Sequence, residues 1–142
     1  METLAHAKLS ASGAHRWMAC AGSVALEADL PEQESTYAAE GTAAHMLAET
    51  CLRQEVDADA YRGEEFNGFV VGKEMVEAVQ FYLDYVRLQP GKLLVETRVD
   101  FSHWVPEGFG TADAIVLHEG KATVIDLKYG KGMQVFSEEN PQ

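Results

Sequence analysis

The sequence predicts an α+β fold in which a mixed or antiparallel sheet is flanked by helices. Two apolar, β-branched runs at 110–117 and 121–128 are joined by a Glu-Gly turn, and a stretch at 93–101 alternates strictly. Two further segments, near 37–55 and 73–88, carry apolar residues at helical spacing. With 142 residues the chain is expected to form a single domain over 1–142.

After a short polar lead, Ser10 or Ser12 stands where it would cap a helix carrying His15, Arg16, Trp17 and Cys20, which Gly22 and Ser23 break or re-cap. Val24 to Leu30 reads as a short helical continuation stopped by Pro31. Arg16 and Trp17 are of the types that meet a phosphate and a base, but a half-buried tryptophan beside a solvated arginine is the simpler reading. From Tyr37 to Glu55, the residues Ala44, Leu47, Ala48, Cys51 and Leu52 fall on one helical face. Gly41-Thr42 near its start permits close backbone approach. His45 follows one turn on, beside the apolar stripe, where a lone histidine reads as structural.

Residues 56–72 are polar, acidic and glycine-bearing, an exposed loop with at most a turn around Phe66 to Val70. Met75, Val79, Tyr82, Leu83 and Val86 then mark an amphipathic helix over 73–88, ended by Pro90-Gly91. Phe81 and Tyr85 are assigned to its core along with Tyr82. Leu93, Val95, Thr97, Val99 and Phe101 alternate with Glu96, Arg98 and Asp100 as in a half-buried strand. Glu96 reads as a solvated strand residue; it becomes a further ligand only if it shares the face of Asp113. Residues 103–108, with Trp104 and Pro106, turn into the hairpin.

A hairpin turn centred between Glu119 and Gly120 sets Val116 opposite Thr123, Ala114 opposite Ile125, and Asp113 opposite Asp126. Opposed Cβ atoms lie roughly 4.5–5.5 Å apart, so the two carboxylates repel and something must offset them. Side-chain alternation puts Lys128 on the face of Asp126. Two acids and a lysine on one sheet surface suit Mg²⁺ or Mn²⁺, which take hard oxygen ligands, with an ammonium near an attacking water or the developing charge. The plainer alternative is a strand-end aspartate and an exposed Asp-x-Lys ion pair. On the repulsion alone, Asp113→Asn is expected to leave the metal-free chain as stable as before, or more so.

Composition narrows the function. With 23 acidic against 11 basic residues the formal charge is -12, so a nucleic acid would have to be held through metal ions, local basic patches or further protein. No apolar run approaches a membrane span and no signal peptide is legible, which makes the cytoplasm the expected location and a membrane partner unexpected. Cys20 and Cys51 are too few for a zinc or disulfide framework. Tyr129-Gly130-Lys131-Gly132 is of a composition that lies along a phosphate backbone, but it matches no phosphate-loop pattern.

Four motifs occur in order: Gly-Thr-x-x-His at 41–45, Gly-x-x-Asp at 110–113, Asp-x-Lys at 126–128, and a glutamine at 142. Together they resemble the motif set of RecB-type nucleases in the PD-(D/E)xK superfamily. The strings Arg-Trp-Met-Ala-Cys-Ala-Gly-Ser, Ala-Glu-Gly-Thr-Ala-Ala-His, Pro-Glu-Gly-Phe-Gly-Thr-Ala-Asp and Ile-Asp-Leu-Lys-Tyr-Gly-Lys-Gly resemble the phage and prophage proteins catalogued as domain of unknown function 2800. The resemblance implies a restriction-endonuclease-like core. It implies a divalent metal held by His45, Asp113, Asp126 and the Leu127 carbonyl, with Lys128 acting on the attacking water and Gln142 completing the catalytic set. The implied activity is DNA hydrolysis, as a phage recombination or DNA-processing exonuclease with phage recombination proteins as partners. A non-catalytic nucleic-acid or protein-binding module that keeps the fold is the alternative. Family members continue beyond the glutamine into a helix bearing a tyrosine, so the chain is expected to be the N-terminal portion of a longer protein. An iron-sulfur cluster including Cys20 is implied only if downstream cysteines exist; a buried small hydrophobe is the simpler reading of Cys20. Ala21 stands where the family often has proline.

Overall fold

The computed structural model describes residues 7–28, 30, 35–131, 136, 138 and 139. The fold is α+β, with small antiparallel sheets and helices. The described residues fall into two compact units, one within 1–33, 98–111 and 134–142, the other within 34–97 and 112–133.

The first unit holds α1 (Ala14–Ala19) and α2 (Ser23–Glu27). Ser10 Oγ accepts from the Gly13 N–H at 3.2 Å, but the α1 N-cap is Gly13 with no side-chain cap hydrogen bond, so neither Ser10 nor Ser12 caps the helix as expected. Trp17 is half-buried and its Nε1 donates to the Ser10 carbonyl at 2.9 Å, while Arg16 pairs with Glu27. The structural reading of that dipeptide therefore holds. Cys20 is exposed, correcting the expectation of a buried small hydrophobe; Cys51 is the buried cysteine.

The second unit is built on two long helices. Helix α3 (Thr36–Gln54) starts at Ser35, whose Oγ accepts from the Ala38 N–H at 3.1 Å, and ends where Glu55 turns left-handed at φ 56°. Between the helices lie a 3-10 turn (Ala58–Tyr61) and a two-residue-per-strand hairpin, β1 (Glu65–Phe66) with β2 (Phe69–Val70). Asn67 and Gly68 both have positive φ, as that tight turn requires. Asn67 Nδ2 donates to the Ala39 carbonyl and pins the hairpin to α3. The region read as loop thus carries more structure than its polar composition announces.

Helix α4 (Lys73–Leu88) buries Met75, Val76, Val79, Tyr82, Leu83 and Val86. Phe81 and Tyr85 do not join them, with 78 % and 51 % exposure. At 100° per residue the neighbours of a buried position rotate off its stripe, so being aromatic does not make them core. Helices α3 and α4 share one core with Ala114, Val116, Ile125 and Leu127.

That core covers one face of a sheet ordered β3 (Lys92–Asp100), β4 (Phe109–His118), β5 (Lys121–Ile125). The β4–β5 ladder is antiparallel with Ala114 opposite Ile125 and Val116 opposite Thr123, the register expected from the turn. Glu119 and Gly120 close it with φ of 46° and 76°. Strand β5 is shorter than expected and stops at Ile125, before Asp126 to Lys128. Alternation in β3 also breaks, because Glu96 sits at φ 45° in mid-strand and residues 93–97 are all half-buried. Among the described residues, no helix is long and apolar enough to cross a membrane.

Candidate functional site

The open end of the β4–β5 hairpin meets the first turns of α3. Gly41 makes this approach close, since a Cβ built on it would lie 3.3 Å from the Tyr129 carbonyl oxygen. One turn later, His45 Nδ1–H donates to the Gly41 carbonyl at 2.8 Å, which fixes the ring and leaves Nε2 facing outward from the helix. A histidine ligand held by a backbone carbonyl through its other nitrogen is the usual arrangement at metal sites. Nε2 stands 3.2 Å from Asp113 Oδ2.

Asp113 comes from β4, its side chain only 15 % exposed. The same Oδ2 accepts the Leu127 backbone N–H at 2.7 Å. This bond explains why β5 ends early: a side chain takes the amide that a continuing ladder would have engaged. Leu127 itself is buried in the core, so the segment after β5 is anchored on both sides of the backbone. Its neighbours Asp126 and Lys128 project outward and pair, Nζ to Oδ2, at 2.7 Å.

The repulsion between the two aspartates is therefore offset within the chain. Asp113 faces the imidazole and Asp126 faces the ammonium. The hydrogen bond to Asp113 is the main reason the His45 pKa rises from 6.5 to about 9; burial opposes it, and the Gly41 carbonyl and the charges of Asp113 and Asp126 add to it. At neutral pH His45 is a cation in this arrangement.

Among the described residues no three His, Cys, Asp or Glu side chains stand close enough together to hold a metal ion as they are. The His45–Asp113 separation of 3.2 Å is that of a hydrogen-bonded ion pair.

Of the residues expected at the site, the structure brings together His45, Asp113, Leu127, Asp126 and Lys128. Gln142 lies outside the described residues. Sequence reasoning did not pick out Glu49 and Arg53, which follow His45 at successive intervals of four on α3 and pair at 2.8 Å. That interval was the available signal, because such residues form one row along a helix.

The chain is thus an α+β protein whose hairpin end gathers a histidine, two aspartates and a lysine. The chain belongs to the family described as protein of unknown function DUF2800, whose profile matches residues 6–142. No solved structure matches it.

Proposed function

We propose that this chain is a metal-dependent nuclease with a PD-(D/E)xK core of the RecB-like kind, hydrolysing phosphodiester bonds in DNA. The observation that carries the reading is the meeting of His45 with Asp113 at 3.2 Å beside the Asp126–Lys128 pair at 2.7 Å. His45, Asp113, Asp126 and the Leu127 carbonyl are the groups that would hold Mg²⁺ or Mn²⁺. Such an ion, when bound, polarises a phosphoryl oxygen and lowers the pKa of a water. The Gly41 carbonyl keeps the His45 ring aimed, and the Leu127 N–H keeps Asp113 aimed. Lys128 brings a positive charge to the attacking water and to the oxygens that gain charge. The formal charge of -12 opposes DNA, so approach depends on the ion and on local cations such as Lys128 and Lys131. Phage recombination or DNA processing in the cytoplasm is the setting in which we place this activity.

One observation favours a non-catalytic binding module instead: both aspartates are already engaged, and no three ligating side chains stand together among the described residues. The two readings part in one assay. Labelled single- and double-stranded DNA and RNA are incubated with the protein and Mg²⁺ or Mn²⁺. The nuclease reading expects DNA cleavage that Asp126→Ala abolishes; retention of nucleic acid without cleavage supports the module.

A further inference from the structure

Helix α4 turns an apolar row outward as well as inward. Phe81, Tyr85 and Leu88 follow one another at i, i+4 and i+7, the spacing that stacks side chains along one face of a helix, and they are 78 %, 51 % and 79 % exposed. Single exposed apolar residues are ordinary, but three in one row make a continuous strip about 10 Å long at the rise of an α-helix. The opposite face of α4 fills the core of its unit, so the strip contributes nothing there.

The strip has an acidic edge. By helical rotation Glu77 and Asp84 lie along one flank of it and Glu74 stands at its N-terminal end, and all three are exposed. The neighbouring cations are engaged by carboxylates, Lys73 Nζ by Glu77 at 3.6 Å and Arg87 Nη1 by Asp57 at 2.7 Å. Gln80 Nε2 donates to Asp84 Oδ1 at 2.8 Å, one turn back along the same flank. Four carboxylates, those of Asp57, Glu74, Glu77 and Asp84, thus stand against the two cations of Lys73 and Arg87. This side of α4 is negative, in keeping with the formal charge of -12.

We propose that this face of α4 docks a basic amphipathic helix of a partner protein, whose apolar residues seat on Phe81, Tyr85 and Leu88 and whose Lys or Arg side chains meet Glu77 and Asp84. Anchors at i, i+4 and i+7 are the pattern by which one helix recognises another, and aromatic side chains are enriched where interfaces are buried. Charge selects among the occupants. A second copy of this chain would set the same strip and the same carboxylates against themselves, and like charges brought together oppose the contact. An anionic membrane surface is repelled for the same reason. A helix with cations beside its apolar stripe gains from both parts of this face. The inference uses none of His45, Asp113, Asp126 or Lys128, so it stands or falls apart from the nuclease reading.

Two fluorescein-labelled helical peptides test it, one built of Leu–Lys heptads and one with Glu in place of Lys. They are titrated by anisotropy into wild type, Phe81→Gln/Leu88→Gln and Glu77→Gln/Asp84→Asn. Wild type should bind the Leu–Lys peptide at least about tenfold more tightly than the Leu–Glu peptide. Phe81→Gln/Leu88→Gln should weaken that binding by at least about tenfold and leave the melting temperature level, since neither side chain is packed in the core. Glu77→Gln/Asp84→Asn should weaken it about threefold to tenfold, with the difference shrinking as salt is raised. Equal binding of the Leu–Lys peptide by wild type and Phe81→Gln/Leu88→Gln would mean that net charge alone attracts it, and would overturn the inference, as would no binding by wild type. Sedimentation of wild type, alone and with phosphatidylglycerol vesicles, reads the other occupants. A dimer, or co-sedimentation with vesicles, that Phe81→Gln/Leu88→Gln abolishes would assign the strip to a second copy or to a membrane and overturn the inference as well.

Discussion

His45 Nε2 lies 3.2 Å from Asp113 Oδ2, joining α3 to β4 through the same carboxylate oxygen that receives the Leu127 amide. One oxygen thus ties α3 to β4 and to the segment that follows β5. It also gives the unit a titratable lock. With its pKa raised to about 9 against an ordinary 6.5, His45 is protonated more readily folded than unfolded.

The sign of the resulting pH dependence follows from linkage. A raised folded pKa gives stability that is fully present below pH 6.5 and is lost as pH climbs through about 9. The side chain keeps 32 % exposure, so the effect is discounted to on the order of 1–3 kcal/mol. Urea midpoints of the metal-free protein should fall across that window, and His45→Gln should flatten the difference. Parallel curves for the two proteins would count against the lock.

Asp113→Asn is expected to destabilise the metal-free chain by on the order of 2 kcal/mol, because a charged acceptor is withdrawn from both an imidazolium and a buried amide. This reverses the outcome drawn from the opposed aspartates alone, since His45 and Lys128 already offset their repulsion. The mutant should also lose the Mn²⁺-dependent rise in stability, which for wild type is about 2.7 kcal/mol at a hundredfold excess over the dissociation constant. A melting temperature that still climbs with Mn²⁺ in the mutant would remove Asp113 from the site.

Gly41 tests the packing that brings the site together. Gly to Ala within a helix ordinarily stabilises by about 0.5–1 kcal/mol. Here the new methyl meets the Tyr129 carbonyl oxygen at 3.3 Å, so Gly41→Ala should gain less than that. Gly41→Val should cost roughly 1–3 kcal/mol and weaken Mn²⁺ binding by shifting the segment that carries Asp126 and Lys128. A full alanine gain would mean that the Tyr129 segment yields freely.

Much of this arrangement was legible because it follows local periodicity. The apolar spacing of α3 and α4 set their limits to within about a residue. The Glu-Gly turn fixed the β4–β5 register, since a two-residue loop leaves little choice of pairing. Departures arise where a side chain competes with the backbone: Asp113 takes the Leu127 amide and shortens β5, and the left-handed Glu96 breaks the alternation of β3. That the buried Tyr82 hydroxyl has no hydrogen-bond partner was invisible for another reason. Its stripe position marks it as core but says nothing of where the oxygen points. His45 stood out only through the resemblance, as a lone histidine beside an apolar stripe carries no signal of its own.

Lys128 separates catalysis from ion binding. Its Nζ sits 2.7 Å from Asp126 Oδ2 and its side chain is 45 % exposed, so it can turn from that carboxylate toward a substrate. A residue that acts on the water and on developing charge contributes about 10²–10³ in rate, whereas the ion is held by other groups. Lys128→Ala should therefore lower cleavage by at least about a hundredfold while Mn²⁺ affinity stays level or tightens, Asp126 being released from its ion pair. Lys128→Arg should restore little, because a planar fork replaces a compact point charge. Rates on labelled DNA and Mn²⁺ isotherms for the same protein samples measure both quantities. Near-normal cleavage by Lys128→Ala would remove the lysine from the chemistry, and no cleavage by wild type on DNA or RNA with either ion would leave the binding module as the better account of the chain.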